Sequence, residues 1–341
     1  LYNLIYAGHP YGRHNLGTVA SLNNAITLAD LKNWHATRYT QANLIIGLAG
    51  GYPDSFLARV RKDFARLPAG RKSAATRPQP RAVNGIHVTL VDKPTRSVAI
   101  SIGFPIQVLR GHPDYIPLLV AAACFGQHRT SGGRLYERIR EQRGLNYGDY
   151  SYIEYFPNGM FRFEPAPNLA RRQQIFQMWI RPLEPSTAQF GLRLAMYELE
   201  KLLKDGISEE EFRTWRSFLN NYVDLLTKSK DAETGYAIDS AFYGIPEYNT
   251  YIKDGLAKLT REDVNRAIRK HLRAANLHIA IITDKAADFK TALLSGEAAE
   301  MTYNSPKPAA ILEEDRIVAK WKIDVKAENV QIVPVDSVFE K

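Results

Sequence analysis

The spacing of apolar residues predicts both strands and helices in this chain. Apolar and polar positions alternate over residues 86–91 and 98–104, which is typical of half-buried strands. Residues 115–125 are apolar nearly all round, so we expect a buried helix there. Residues 132–143 and 186–204 have helical spacing and a charged or polar face, which predicts two further helices that are half exposed.

Local signals add boundaries to this pattern. Gly206 stands where the helix over 186–204 should end, as a C-cap. Ser208 and Glu211 have the spacing of a capping box, which opens the next long helix. The apolar pattern of residues 160–163 predicts another strand. Strands first, then helices, then a final helix and strand are typical of an α+β layer fold.

One unit of this pattern occurs twice. Residues 26–31 resemble residues 259–264, and residues 43–46 resemble residues 276–279. Each matched residue of the second copy lies 233 positions after its partner in the first. A constant offset over a capped helix, a turn and a strand indicates an internal duplication.

The two copies carry the same local signals. Thr27 and Thr260 each begin a Thr-x-x-Asp segment with capping-box spacing, and a helix of about three turns should follow. An Asn then precedes an apolar strand, predicted at 44–49 in the first copy and at 277–282 in the second. We therefore expect both segments to follow one helix–turn–strand path.

The offset also predicts how the chain is divided. The second half begins near Ile86, so its counterpart in the first half would lie before Leu1, and about 150 residues are expected to precede this chain. Residues 1–68 are then the C-terminal part of a truncated first half. Residues 69–85 form a basic, proline-containing linker, and residues 86–341 form the second half with its tail.

Composition and charge exclude several classes of protein. Apolar residues make up 45% of the 341 residues and the net charge is +9, and no apolar run approaches the ~18 residues of a membrane span. Residues 59–81 hold eight Lys and Arg residues but one acid. Phe64 is its only aromatic residue, so the stretch lacks the aromatic interleaving of single-strand binders, and we interpret it as a helix end that runs into a solvated linker. Cys124 lies in an apolar run and is predicted to be a buried, unreactive side chain.

Several motifs resemble one family of peptidases. They are the segment His9-Pro-Tyr-Gly12, residues 26–35, the segment 133–147 with Arg-Leu-Tyr and Arg-Gly-Leu-Asn-Tyr, and the tail segments 313–317 and 330–335. Together they resemble the pitrilysin/insulinase family, the inverzincin zinc peptidases that include the mitochondrial processing peptidase. The resemblance implies a duplicated two-half fold, each half an antiparallel-type sheet with helices packed on one face.

The resemblance also implies a zinc endopeptidase whose metal site lies outside this chain. In that family a His-x-x-Glu-His helix of the first half binds the zinc, and a later Glu completes the site. Here no histidine has a Glu and a second His at that helical spacing, so we predict no metal ligands in this chain and zinc in the complete protein or a partner. The histidines are His9, His14, His35, His87, His112, His128, His271 and His278.

By the same resemblance, the second half contributes Arg140 and Tyr147 to catalysis. The family uses an Arg and a Tyr of the second half, and the seven-residue spacing of Arg140 and Tyr147 matches them. A Tyr hydroxyl can donate to the oxyanion of a tetrahedral intermediate, and an Arg can bind the substrate backbone. The remaining charged residues of this segment are expected to form a solvated helix face: Arg134, Glu137, Arg138 and Glu141.

Three hypotheses remain open from the sequence. The parent protein is an active zinc endopeptidase, or a non-catalytic subunit that donates the Arg/Tyr pair to a zinc-bearing partner, or an unrelated basic binding module. For the first two we expect a peptide or unfolded protein as substrate, a homodimer or heterodimer with a family member, and no nucleic acid. The resemblance to small bacterial members favours an exported or periplasmic protein, with the cytoplasm as the alternative.

Overall fold

One mixed sheet of six strands organises the part of the protein that the structure describes. The structure is a computed structural model, and it describes residues 1–72, 78–156 and 166–340. The strand order is β3-β4-β2-β5-β1-β6. β1 pairs in parallel with β5 and β6, and the other three pairs are antiparallel. The strands are β1 (Ile86–Asp92), β2 (Val98–Ile106), β3 (Asp149–Tyr152), β4 (Gln174–Leu183), β5 (Leu277–Thr283) and β6 (Val330–Pro334).

Eleven α-helices surround this sheet within the described ranges. A π-helical turn, Tyr136–Glu141, lies between α4 and β3. The helices are α1 (Tyr2–Ile5), α2 (Leu28–Arg38), α3 (Asp54–Phe64), α4 (Tyr115–Gly126), α5 (Ala188–Asp205), α6 (Glu209–Leu226), α7 (Lys230–Tyr243), α8 (Tyr248–Lys258), α9 (Arg261–His271), α10 (Ala286–Ser295) and α11 (Ala309–Ala319). The α+β class predicted from the sequence is confirmed.

The main core lies between one face of the sheet and the helices. Ile100, Ile102 and Phe104 alternate along β2 and point into this core, where each is almost fully buried. α4 is buried on nearly every side because it packs against β3, α6, α8 and α9. This confirms the all-round apolar pattern as a buried helix, and it explains the absence of a polar face.

Most of the local signals are confirmed as well. Gly206 ends α5 with φ 73, and its N–H donates to the Leu202 carbonyl. Ser208 caps α6, with a reciprocal hydrogen bond to Glu211. The helix expected over 132–143 is shorter and largely π-helical, as Tyr136–Glu141. The strand expected at 160–163 lies outside the described residues.

The helix predicted in both copies of the duplicated unit is confirmed. The strand is present in the second copy, but the strand predicted in the first copy is not formed. α2 and α9 each have eleven residues, and their bounds keep the offset of 233. Thr27 and Thr260 each form a complete capping box. Residues 277–283 then form β5, but residues 44–49 form no strand. A strand needs a neighbouring strand for its backbone groups, and β5 lies between β1 and β2 whereas residues 44–49 are exposed. The duplication therefore remains a prediction.

Apolar and aromatic residues among the first eleven positions pack against Ile175 of β4, on the opposite face of the sheet. Tyr6 is fully buried there, and its hydroxyl donates to the Gln174 carbonyl at 3.0 Å. The guanidinium of Arg171 lies between the rings of Tyr11 and Tyr155, at 3.9 and 4.0 Å from their centroids. Such flat stacking on both faces suits a planar cation. These contacts join the His-Pro-Tyr-Gly segment to β4.

The length of the helices and the burial of Cys124 also bear on the expectations from the sequence. Within the described ranges, no helix has the length and apolar character needed to cross a membrane. Cys124 is a buried free cysteine, and burial raises the pKa of its thiol well above the usual range. A thiol that stays protonated is a poor nucleophile, so its interpretation as a packing residue is confirmed.

We expect Gly126→Ala to destabilise the fold by about 1–3 kcal/mol, because overpacking moves neighbouring backbone. A Cβ on Gly126 would lie 2.8 Å from the backbone nitrogen of Ser151 in β3. The control is Gly51→Ala, where a Cβ would meet nothing within 4 Å. Urea unfolding of both variants measures the difference, and an equal midpoint for the two would contradict this account of the α4–β3 contact.

Candidate functional site

The structure brings Arg140 and Tyr147 together. The guanidinium carbon of Arg140 lies 5.0 Å from the centroid of the Tyr147 ring and 4.7 Å from that of the Tyr136 ring. The Arg140 side chain is 34% exposed, and Tyr147 is 71% exposed. Arg140 therefore occupies a slot between two aromatic rings that opens to solvent. We call Tyr136, Arg140 and Tyr147 the Arg–Tyr slot.

The local sequence explains how the slot forms. Tyr136 and Arg140 lie four positions apart, so they share one side of the helical turn. Gly144 then takes φ 70, a conformation that favours glycine. Its N–H donates to the Arg140 carbonyl at 2.7 Å, and the Leu145 N–H donates to the Ile139 carbonyl at 3.1 Å. The chain reverses at this point and returns Tyr147 to Arg140.

A buried arginine ties this turn to helix α11. The Arg143 side chain is fully buried, and its Nε donates to Asp315 at 2.7 Å. One terminal nitrogen donates to Glu314 at 2.7 Å, and the other donates to the Arg138 carbonyl at 2.9 Å. The C-terminal part of the chain therefore supports the loop that carries Tyr147.

The prediction of a solvated helix face is wrong for two of its four residues. Glu137 and Glu141 are exposed as predicted. Arg134 instead pairs with Glu211 at 2.6 Å, and Arg138 pairs with the buried Glu198 at 2.9 Å. The partners come from helices α5 and α6, far away in the sequence, so the periodicity of the segment alone could not show that these two cations anchor the turn.

A buried carboxyl group lies in the same loop. Asp149 begins β3 and is fully buried, and Asn146 donates its side-chain N–H to Asp149 Oδ1 at 2.6 Å. The second oxygen of Asp149 and the amide oxygen of Asn146 have no hydrogen-bond partner among the described residues. Burial raises the pKa of Asp149 to about 8, although Asn146 and Arg140 act in the opposite direction. The carboxyl group is therefore largely uncharged at neutral pH.

One cluster in the described ranges could hold a metal ion. Ligand atoms of His112, Asp114 and His271 lie within 4.8 Å of one another. Asp114 is already paired, because Lys270 Nζ and His271 Nε2 each lie 2.7 Å from its Oδ2. Burial raises the pKa of Asp114, but the hydrogen bonds from His271 and Lys270 lower it overall to about 2. The cluster thus fastens the last turn of α9 to the loop before α4.

The sequence analysis missed four of these residues. Tyr136 had a usable signal, since an aromatic residue four positions before Arg140 shares its helix side. Asn146 and Asp149 carried no such signal, because burial of a polar pair depends on tertiary packing. His271 lies 157 positions beyond Asp114, so ligand spacing could not connect them.

Comparison with known proteins gives concordant matches. A family model described as the peptidase M16 inactive domain matches residues 25–219. An uncharacterized zinc protease of Mycobacterium bovis is 27% identical over 82% of this chain and 60% of its own length. A protein of Helicobacter pylori named a non-peptidase homolog is 22% identical over 83% of this chain and 62% of its own length.

A solved structure shares the fold. The crystal structure of a peptidase M16 inactive domain from Pseudomonas fluorescens matches with a TM-score of 0.66 and 24% sequence identity. The match covers 82% of this chain and 62% of the Pseudomonas chain. The chain thus spans less than two thirds of the length of these relatives. The match to the family model crosses the predicted linker at 69–85.

We expect Asp149→Asn to stabilise the protein at about pH 8 but not at about pH 4. The folded pKa of Asp149 is raised from 3.8 to about 8, so between these values the unfolded chain loses a proton that the folded chain keeps. Wild-type stability then falls as the pH rises through this window, by up to about 1.4 kcal/mol per unit. Urea unfolding at both pH values measures this.

The control for Asp149 is Asp324→Asn, because Asp324 is exposed. That substitution should change the free energy of unfolding little at either pH. A stability difference between Asp149→Asn and wild type that is the same at the two pH values would show that Asp149 is ionised in the folded protein.

We expect this chain to hold no tightly bound zinc after dialysis. A zinc ion at the His112–Asp114–His271 cluster would have to displace Lys270 and bind beside Arg266, which lies 3.7 Å from Asp114. Two cations beside the metal oppose its charge. Metal analysis tests the expectation. About one zinc per chain, lost in His271→Ala, would assign the metal to this cluster and overturn it.

Proposed function

Since the chain belongs to the peptidase M16 family, we propose that it forms the substrate-binding second half of a zinc-dependent endopeptidase. Family membership agrees with the predicted resemblance. The observation that supports the role is the Arg–Tyr slot, which places an exposed phenol against a guanidinium. Arg140 and Tyr147 would act on the peptide bond, and peptides or unfolded proteins would be the substrates.

The chemistry assigns a separate role to each side chain. When water attacks a peptide carbonyl, its oxygen becomes an oxyanion, and a hydroxyl donor at that position lowers the barrier. Tyr147 can donate there because most of its side chain faces solvent. Arg140 can donate two parallel hydrogen bonds to backbone carbonyls of the substrate. The flanking rings hold its guanidinium flat and reduce the entropy lost when substrate binds.

The zinc would come from another part of the complete protein or from a partner subunit. Bound zinc activates the attacking water and polarises the carbonyl. A His-x-x-Glu-His segment in the remaining part of the protein would identify the active peptidase. The relatives named zinc proteases support this version of the proposal.

A second version of the proposal makes this chain part of a non-catalytic subunit. The relative named a non-peptidase homolog supports it. The exposed apolar side chains of residues 16–64 also favour a large partner surface, in the form of a domain or a family member in a homodimer or heterodimer. They include Leu16, Leu22, Leu28, Leu31, Trp34, Ile45 and Phe56. Peptide cleavage that appears only after mixing with a zinc-bearing family member would select this version.

We expect Tyr147→Phe to lower turnover of the complete protein by about 10²–10³ with little change in KM, because loss of one oxyanion donor has that effect. Cleavage of an unstructured fluorogenic peptide measures both constants. The ring and its contact with Arg140 remain in this variant, so folding should be unchanged. Turnover equal to wild type would remove Tyr147 from the proposed mechanism.

We expect Arg140→Lys to weaken kcat/KM although the charge is kept, because Lys lacks the planar fork. The matched control is Glu137→Gln on the same helical turn. Glu137 is exposed, and its loss should leave the peptidase activity near wild type. If Arg140→Lys and Glu137→Gln had equal activity, Arg140 would be a structural residue and the site assignment would fail.

A further inference from the structure

Asp149 and Asn146 hold the two ends of the short segment that presents Tyr147. Asn146 precedes Tyr147, and Asp149 follows Gly148 as the first residue of β3. Their side chains join at 2.6 Å inside the protein, where both residues are buried. Across the sheet, the Arg181 N–H donates to the Gly148 carbonyl at 2.9 Å. The segment between the two side chains is therefore closed by a buried hydrogen bond.

We propose that Asp149 is a positioning residue that acts in its uncharged form, by holding Asn146 and the Tyr147 loop in place and leaving Arg140 available to substrate. The consequence for catalysis rests on the proposed function. The consequence for the loop does not, because it concerns contacts within this chain.

The contacts of Asp149 favour the uncharged form. An ionised carboxylate can accept about four hydrogen bonds, whereas Asp149 accepts one and its Oδ2 has no partner among the described residues. An isolated buried charge is costly, so a group in this position stays neutral or gains a cation. The direction of the Asp149 pKa agrees with this argument, because burial raises it to about 8.

Among the residues that the structure describes, Arg140 is the cation that acts on Asp149, whereas Arg129 acts on the neighbouring Tyr150. The helical turn contributes Tyr136 and Arg140, β3 contributes Tyr150, and β4 places apolar Ile180 opposite Asp149. Both tyrosines have raised pKa values, first because of burial and in smaller part because of Asp149. They are neutral when Asp149 begins to ionise. Arg181 of β4 interacts with Tyr150 and stacks on Trp179 at 4.1 Å, away from the carboxyl group.

Ionisation would therefore compete with substrate for Arg140. The Arg140 side chain has one weak carboxylate contact in the described residues, to Glu141 at 3.9 Å. A charged Asp149 would attract the guanidinium inward, out of the Arg–Tyr slot. The carboxylate accepts the Asn146 N–H at least as well as the neutral acid does. Its cost comes from burial with an unpartnered Oδ2, so opening of the Tyr147 loop, which lets water reach Asp149, becomes more favourable. The loop should open more readily as the pH rises towards about 8, and the guanidinium should move inward as Asp149 ionises above that value.

The loop effect is tested by hydrogen exchange of the amides of residues 144–148, corrected for the intrinsic dependence on pH. In wild type, exchange should increase about ten-fold or more between about pH 6.5 and about pH 9, because opening of the loop relieves the cost of ionising a buried carboxyl group. Asp149→Asn copies the neutral acid and should show no such increase. Asn146→Ala should exchange fast at both pH values. The same pH dependence in Asp149→Asn and wild type would overturn the proposal.

The catalytic effect is tested in the complete protein by the pH profile of peptide cleavage. Wild-type kcat/KM should fall above about pH 8, and Asp149→Asn should keep wild-type activity at neutral pH and lose this fall. The control Glu137→Gln should keep the wild-type profile. An unchanged alkaline fall in Asp149→Asn would refute the role of Asp149 while leaving the peptidase function intact.

The two readouts separate the two proposals. If no variant and no wild-type protein cleaves peptide, but exchange follows the expected pattern, the proposed function fails and the positioning role of Asp149 in the loop stands. If cleavage depends on Tyr147 but exchange in residues 144–148 does not depend on Asp149, the proposed function stands and the positioning role fails. Circular dichroism of Asp149→Asn and Asn146→Ala confirms that each variant is folded before comparison.

Discussion

The Arg–Tyr slot depends on one buried cation, Arg143. Its side chain has no exposure, and its donors reach Asp315, Glu314 and the Arg138 carbonyl. Removal of one partner from a buried ion pair typically costs about 3–5 kcal/mol, because the other charge is left uncompensated. The geometry of the loop is consequently fixed by helix α11, more than 160 positions later in the sequence. Lys307 adds a hydrogen bond to the Gln142 carbonyl at 2.7 Å from the same region.

The contrast in burial along this loop indicates a rigid base with an exposed tip. Arg143, Asn146 and Asp149 are buried, whereas Tyr147 is 71% exposed. A side chain that must reach a substrate loses the least entropy on binding when its backbone is already fixed. The π-helical turn fits this requirement, since such turns occur frequently at functional sites. The loop is therefore preorganised by its buried residues.

The sequence predicted the features whose causes are local. Both Thr-x-x-Asp boxes, the Gly206 C-cap and the all-round apolar α4 depend on residues within a few positions of one another. The contact between Arg140 and Tyr147 was also within reach, because the motif that resembles the family contains both residues. The prediction of a strand at residues 44–49 was wrong because a strand is stabilised by a partner strand. The segment has the apolar pattern of a strand but no partner strand in the described ranges. The burial of Asp149 and the ion pairs of Arg134 and Arg138 depend on distant helices and strands, which periodicity does not encode.

Apolar side chains are buried in one part of this chain and exposed in another. The sheet face that packs on α4 and α5 forms a continuous buried core, and most of the exposed large hydrophobic side chains instead lie within residues 16–64. A concentration of exposed apolar side chains in one part of the chain is typical of an interface. The buried core keeps the Arg–Tyr slot rigid without help from that surface. The α1 segment and the Arg171 stack attach the apolar region to β4, on the sheet face opposite the main core. In the proposed function, a domain or partner that covers residues 16–64 would be held to the same sheet whose edge strand begins at Asp149, and it would carry the remaining catalytic groups to the slot.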